Sequence, residues 1–161
     1  MSRTTTYWRS VTRSVDKAIV TKTIVDTSVV VPALLTGHQS HDLARRFVDA
    51  DAPSIAGHAL VESFSVLTRL PGLRLAAEDA LRLLSSSFPD VCALDEPKHH
   101  QVVRVLAEAG VEGGAVYDGL VGLAAKAAER ELVTMDARAS STYRRLGVRF
   151  RLLTGDDRGG T

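Results

Sequence analysis

Hydrophobic positions along the chain alternate between short β-branched runs and longer stretches with helical spacing. Five runs predict strands: Thr23 to Val25, Pro53 to Ala56, Val91 to Leu94, Leu132 to Met135 and Val148 to Leu153. Helical spacing is found over residues 27–35, 40–50, 58–70, 76–87, 97–109 and 115–130, and in a last segment that ends at Leu146. Strands that alternate with helices of this length predict right-handed crossovers and a mainly parallel sheet. The expected fold is a three-layer α/β/α sandwich.

The length of 161 residues corresponds to one ordinary domain. We place that domain at residues 21–153, after a flexible basic leader (1–20) and before a flexible tail (154–161). The leader is rich in Ser, Thr and Arg, and Asp16 is its only acid. Hydrophobic residues make up 45% and charged residues 24% of the chain, which excludes a disordered or fibrous protein.

Apolar stretches and cysteine content bear on where the protein works. No apolar stretch reaches the roughly 20 residues of a membrane-spanning helix, so no membrane role is expected. Cys92 is the only cysteine, which rules out an internal disulfide, and its surroundings predict a buried strand position. These features favour a reducing cytoplasm.

The net charge of +1 conceals a basic segment. Residues 137–155 contain five arginines and no acid: Arg138, Arg144, Arg145, Arg149 and Arg151. Such a segment can bind phosphates. It is also typical of a solvated helix face followed by a strand edge that charge protects from association. The composition alone favours the second interpretation.

Two aspartates directly follow predicted strands. Asp26 ends the first run and Asp136 ends the fourth, and ligands of parallel sheets bind beyond such carboxyl ends. Either residue could instead cap the helix that follows it. Asp118 could be stabilised by the dipole at the start of its helix, and Glu62 could be an exposed helical acid. Each acid taken separately favours the structural role.

The helical neighbours of two acids point to a shared site. Glu62 lies one turn from Ala59 and Val66, and Asp118 shares its face with Val121, Gly122 and Ala125. Both faces are predicted to turn towards the interior. Grouped carboxylates there need a compensating cation, and oxygen ligands suit Mg²⁺ or Mn²⁺.

Histidines offer no competing ligand set. His38 and His41 fall around a predicted turn, and His99-His100 begin a helix. Neither pair has the cysteine support of a zinc site. We assign these histidines surface roles.

Four motifs together resemble one family. They are Asp26-Thr27-Ser28 after a strand, Leu60-Val61-Glu62-Ser63 in a helix, Tyr117-Asp118-Gly119-Leu120, and the strand Leu132 to Thr134 with Met135-Asp136. In this order and spacing they resemble the PIN domain, and more narrowly the VapC-type toxins of bacterial toxin–antitoxin pairs. The resemblance covers residues 23 to about 153. The chain departs from the family in its longer basic leader, and the fourth acid position is variable across the family.

The resemblance implies a metal-dependent endoribonuclease. Its catalytic and metal-binding residues would be Asp26, Glu62, Asp118 and Asp136, with Glu62 as a ligand or as the group that orients water. Ser28 and Thr134 would support them as polar neighbours. Candidate RNA contacts are Arg138, Arg144 and Arg145. Activated water would cleave RNA to leave a 5′-phosphate and a 3′-hydroxyl.

The resemblance also implies protein partners. Toxins of this kind are held inactive by a small VapB-type antitoxin and commonly form homodimers. Residues 38–75 are the candidate docking region, with Leu60, Phe64 and Leu67 on its apolar stripes. The same side chains are also typical of a core, which is the favoured assignment for most of them.

Three other protein classes were weighed. A haloacid-dehalogenase-like phosphatase needs an acid two residues after the first aspartate, where this chain has Ser28. A receiver domain needs adjacent acids after its first strand and a lysine at a strand end, and neither is present. A catalytically inactive PIN-like module that binds RNA or protein is the remaining alternative. The sequence does not specify the RNA cleaved, the number of metal ions, the antitoxin, the oligomeric state or the role of residues 1–20.

Overall fold

The computed structural model describes residues 22–94 and 99–155. The predicted leader (1–20) and most of the predicted tail (156–161) lie outside the described residues, as do residues 21 and 95–98. The five strands are β1 (Thr23–Val25), β2 (Ser54–Ala56), β3 (Val91–Cys92), β4 (Glu131–Thr134) and β5 (Phe150–Leu152). Four of them lie within a predicted run, and β4 begins one residue before its run and ends one residue earlier.

Seven helices connect and cover these strands in the described part of the chain. They are α1 (Thr27–Leu34), α2 (His41–Asp51), α3 (Gly57–Arg69), α4 (Ala77–Ser87), α5 (His99–Glu108), α6 (Ala115–Ala127) and α7 (Ser140–Arg145). The last predicted helix is divided, because a 3₁₀ turn at Ala137–Ala139 precedes α7. The other helices agree with the predicted segments to within a few residues.

The strands form one parallel sheet in the order β3-β2-β1-β4-β5. Val25 of the central strand is in register with Ile55 of β2 and Val133 of β4. Successive side chains of a strand point to opposite faces, and both Ile24 and Val25 are fully buried. Helices therefore cover both faces, which confirms the three-layer α/β/α fold.

The strand order creates a crevice beside β1. The chain proceeds from β1 to β2 and β3 on one side, and then crosses back to β4 and β5 on the other. The connections that leave β1 and β4 thus diverge at the carboxyl edge of the sheet, where parallel sheets bind ligands. Asp26 and Asp136 follow these two strands.

Close packing of α6 fixes the position of one aromatic ring. A Cβ atom at Gly122 would lie 3.0 Å from both Tyr143 Cδ1 and Val148 Cγ2. Only a residue without a side chain allows α6 to approach α7 this closely. Tyr143 is fully buried as a result, with its ring against the helix.

Cys92 is less buried than the sequence predicts. Cys92 is half-buried and Val91 is exposed, because β3 is a two-residue strand at the edge of the sheet. Arg130 Nη1 lies 3.0 Å from Cys92 Sγ and 2.8 Å from Asp90 Oδ2.

Among the described helices, none has the length and apolar character needed to cross a bilayer.

Candidate active site

Asp26 is the buried centre of the acidic group. It ends β1 and caps α1, where its Oδ1 atom accepts a 3.0 Å hydrogen bond from the Ser28 amide. Its Oδ2 atom accepts a 3.2 Å hydrogen bond from the Tyr143 hydroxyl. Burial raises the pKa of Asp26, and the bonds from Ser28, Thr134 and Tyr143 oppose that rise. The helix-capping role and the site role are therefore combined in one residue.

Asp136 occupies the equivalent place after β4. Its Oδ1 atom accepts a 2.9 Å hydrogen bond from the Arg138 amide, which caps the 3₁₀ turn. The Arg138 guanidinium donates to both carboxylate oxygens, at 3.1 and 3.2 Å. These bonds and the positive charge lower the pKa of Asp136. Arg138 is itself 94% exposed, so it is free to leave Asp136 when another cation or an anion arrives.

Ser28 and Thr134 join the two strand ends, as the resemblance implied. The Ser28 hydroxyl donates to Asp26 Oδ1 and accepts a 2.7 Å bond from the Met135 amide. Thr134 Oγ1 accepts a 3.0 Å bond from the Asp136 amide and lies 3.2 Å from Ser28 Oγ. The two hydroxyls therefore hold the β1 and β4 ends at a fixed separation.

The pKa of Asp118 indicates that the four acids lie near one another. It stands in the first turn of α6, is half-buried, and has a pKa raised to about 6. Burial is the largest cause, followed by the negative charges of Asp136, Asp26 and Glu62. Arg138 partly offsets them. Side chains from four separate elements thus converge on one region of negative potential.

Glu62 departs from the sequence prediction. Its side chain is exposed rather than turned towards the interior, although Ala59, one turn earlier on α3, is buried. Its neighbour one turn later, Val66, is half-buried, so only part of this helix face packs against the rest of the protein. Its Oε2 atom accepts a 2.7 Å hydrogen bond from the Thr27 hydroxyl, which fixes its direction.

The protein itself partly satisfies these acids. Asp26 is held by Ser28 and Tyr143, Asp136 by Arg138, and Glu62 by Thr27. Within residues 22–94 and 99–155, no three Asp, Glu, His or Cys side chains are already arranged to hold one metal ion. The negative charges of the other acids nevertheless raise the pKa of Asp118 although Arg138 partly offsets them, and carboxylate oxygens are the donors that hard divalent cations prefer.

An open cleft of about 510 Å³ adjoins the acids. Its walls come from α1, the 38–40 loop, α3 and the segment after β4. The lining residues are Thr27, Ser28, Val31, Pro32, His38, Gln39, Ser40, Val66, Met135, Asp136 and Arg138. Asp136 is the one of the four acids among these lining residues.

The other predicted RNA contacts and the histidines near the predicted turn have partners of their own. Arg144 stacks on the Phe150 ring at 5.7 Å, and Arg145 donates a 2.7 Å bond to the Gly110 carbonyl. Arg138 is thus the predicted RNA contact that the fold brings to the acids. His38 Nδ1 accepts from the Ser40 amide, and His41 Nδ1 lies 2.9 Å from the Pro32 carbonyl oxygen. The side chains of His99 and His100 lie outside the described residues.

The predicted docking region divides into core and surface. Leu67 is buried and Leu60 is half-buried, whereas Phe64 and Val61, three positions before it on the same helix, are 36% and 66% exposed.

Sequence reasoning missed two residues of the site. Thr27 could have been suspected from its place in the first motif. Tyr143 carried no signal, because a tyrosine on an amphipathic helix is ordinarily a packing residue.

Comparison with known proteins gives the family. The family model described as "PIN domain" matches residues 23–145. Ribonuclease VapC27 of Mycobacterium tuberculosis is 46% identical over 125 residues, which are 77% of this chain and 91% of the relative. Ribonuclease VapC40 of the same species is 44% identical over 131 residues, which are 80% of this chain and 97% of the relative.

Solved structures agree on the fold. The M. tuberculosis toxin VapC20, described as cleaving the sarcin-ricin loop, aligns with a TM-score of 0.59 at 20% identity, over 74% of this chain and 93% of its own. PAE2754 of Pyrobaculum aerophilum aligns with a TM-score of 0.53 at 22% identity, over 84% and 87%. The chain belongs to the PIN-domain family and, within it, to the VapC-type toxin ribonucleases. The resemblance inferred from the four motifs is thereby confirmed.

Proposed function

We propose that this chain is the toxin of a toxin–antitoxin pair and cuts RNA internally with the help of Mg²⁺ or Mn²⁺. The observation that carries the proposal is the placement of Asp26 and Asp136 after neighbouring strands, with Asp118 near enough that their charges act on it. The repulsion that a bound cation would relieve supports a metal site at this edge of the sheet.

Asp26, Asp118 and Asp136 are the residues that would hold the ion. Asp26 is oriented by Ser28, and Asp118 is fixed by its place at the start of α6. Asp136 would contribute its carboxylate as well, which is now bonded to Arg138. The exposed guanidinium of Arg138 would then be available to a substrate phosphate.

The reaction is hydrolysis of a phosphodiester. When bound, a divalent ion lowers the pKa of a water molecule and stabilises charge on the leaving oxygen. Glu62, held by Thr27, orients the attacking water and draws its proton. Water adds to phosphorus and the ribose 3′ oxygen departs with a proton, so the products carry a 5′-phosphate and a 3′-hydroxyl. Arg138 neutralises the phosphate during the attack.

Cleavage of a mixed RNA pool tests this proposal. The protein with Mn²⁺ or Mg²⁺ should cut the pool, and excess EDTA should abolish cutting. Asp26→Asn should lower the rate by roughly 100-fold or more, the scale expected when a group that stabilises the transition state is lost. Glu78→Gln on α4 removes an exposed acid away from the crevice and is the matched control. Equal activity of Asp26→Asn and the control would refute the assignment.

The partner follows from the same family. We propose that a VapB-type antitoxin docks on residues 38–75, where Val61 and Phe64 present apolar surface beside Glu62. Val61→Asp should prevent co-purification with a co-expressed VapB-type antitoxin that binds the unmodified protein, while RNA cleavage by the free toxin remains. Retention of the complex would place the docking surface elsewhere. A homodimer stays a prediction, and light scattering of the free chain would test it.

A further inference from the structure

A stacked pair of rings stands beside the acids. The imidazole of His58 and the phenol ring of Tyr117 have centroids 5.2 Å apart and planes inclined by only 9°. Tyr117 is 57% exposed, whereas His58 is half-buried. His58 thus packs against part of one face of the phenol ring in an offset stack, and more than half of Tyr117 is open to solvent.

Each ring lies on a helix that also carries an acid of the active site. His58 precedes Glu62 by four positions on α3, and Tyr117 directly precedes Asp118 on α6. Residues four apart on a helix share a face. The stacked pair therefore borders two of the four carboxylates, and neither ring has a part in holding the ion or moving a proton.

The exposure of Tyr117 calls for an explanation. A large aromatic side chain ordinarily buries its ring, since burial supplies much of its stabilising free energy. Here His58 fixes the ring plane while more than half of the residue stays in solvent. A ring held in one orientation loses little conformational entropy when a flat ligand stacks on it.

We propose that Tyr117, held by His58, is a stacking platform for one unpaired base of the RNA next to the cleaved phosphate. The inference rests on the proposed nuclease function and adds to it a residue that positions the RNA. Bases inside an A-form helix have both faces covered by neighbours, whereas an unpaired base can leave the stack and bind an aromatic ring.

Stacking also fits the electrostatics of this surface. Four carboxylates repel the phosphates of an approaching RNA, so contacts to the backbone alone bind poorly here until cations are present. A base has no net charge, and its contact with Tyr117 holds the strand irrespective of the acids. Because every base has a flat π face, the platform accepts different sequences.

The first experiment measures stacking without catalysis. Short unpaired RNAs that carry the fluorescent base 2-aminopurine at successive positions are titrated with the full chain in EDTA. At one position, stacking on Tyr117 should quench the fluorescence, and Tyr117→Phe should quench it equally. Tyr117→Ala should remove that quenching and weaken binding roughly ten-fold or more. His58→Ala should give an intermediate loss, because the phenol ring is then free to rotate.

Controls separate a lost platform from a damaged fold. Leu81→Ala truncates a side chain on α4 that is 49% exposed, and it should leave the quenching unchanged. Melting temperatures of Tyr117→Ala and Tyr117→Phe should match. Undiminished quenching in Tyr117→Ala overturns the proposal. A change in oligomeric mass without a change in quenching also overturns it, because the ring would then belong to a protein interface.

A second experiment distinguishes this inference from the nuclease assignment. Cleavage with Mn²⁺ is compared for an RNA with a normal nucleotide and one with an abasic nucleotide at the quenched position. Slower cutting of the abasic RNA by the unmodified protein is expected, with no such difference in Tyr117→Ala. Equal cutting of both RNAs overturns the platform and leaves the nuclease intact. Quenching that depends on Tyr117, in a protein that cuts no RNA, supports the platform and refutes the nuclease.

Discussion

The hydroxyl of Tyr143 donates a hydrogen bond of 3.2 Å to Oδ2 of Asp26, across 117 positions of the chain. Tyr143 is fully buried, and burial together with nearby negative charges raises the pKa of its phenol. The hydroxyl therefore stays protonated and acts as a permanent donor. It opposes the rise in the pKa of Asp26 that burial causes.

Tyr143→Phe removes this donor and keeps the ring. The pKa of Asp26 should rise further, so protons compete better with Mn²⁺ for the carboxylate. We expect Mn²⁺ affinity to fall several-fold at pH 6 and by less at pH 8, with the pH–rate profile displaced upwards. Calorimetric titration with Mn²⁺ at both pH values measures this. Identical profiles for the two proteins would show that the bond has no role in setting the charge of Asp26.

Asp118→Asn should change how stability depends on pH. The folded-state pKa of Asp118 is raised from 3.8 to about 6, so this group stabilises the fold below about pH 4 and that contribution is lost as pH rises through 6. Without metal, the free energy of unfolding of the variant should rise relative to that of the unmodified protein by roughly 1 kcal/mol between pH 4 and pH 7. This figure allows for solvent screening of a half-exposed group.

Denaturant unfolding in EDTA at a series of pH values tests this difference. Comparison of the two proteins isolates Asp118 from Asp136, whose lowered pKa acts in the opposite direction. RNA cleavage by the variant should be lost at every pH. A variant that becomes relatively less stable as pH rises would contradict the electrostatic account.

Gly122→Ala should destabilise the fold. The added methyl group meets Tyr143 and Val148 at 3.0 Å, and overpacking of this kind costs about 1–3 kcal/mol. Better helix propensity returns about 1 kcal/mol, so the net loss is about 1 kcal/mol, the middle of the remaining range of about 0–2 kcal/mol. Gly114→Ala is the matched control, since nothing lies within 4 Å of its added Cβ. Unfolding midpoints in urea should fall for the first variant and stay nearly constant for the second.

Arg138→Ala should weaken RNA binding in a salt-dependent way. Loss of one phosphate contact should reduce affinity alike for different sequences and lower the slope of log affinity against log salt by about 1. Arg149→Ala is the control, because Arg149 precedes β5 at the opposite edge of the sheet, where it bonds to the Glu129 carbonyl. Equal slopes for Arg138→Ala and the unmodified protein would remove Arg138 from the RNA interface.

Local sequence patterns determined the elements and two of the acids. The β-branched run before Asp26 and the run before Asp136 marked strand ends, and parallel strands that alternate with helices place such ends at one edge. These features depend on neighbours within a few residues, which is the range over which periodicity and capping act. Ser28 was predicted only through the resemblance to the PIN domain, which implies a polar neighbour of Asp26.

Tertiary structure alone decided the remaining features of the site. Glu62 is exposed despite its apolar helical neighbours, and only the fold brings it to Thr27, whose hydroxyl donates to it. Tyr143 reaches Asp26, and Tyr117 stacks on His58, through packing between segments far apart in the chain. Helical spacing predicts which residues share a face of a helix. Whether that face is buried depends on which elements the long crossovers bring against it.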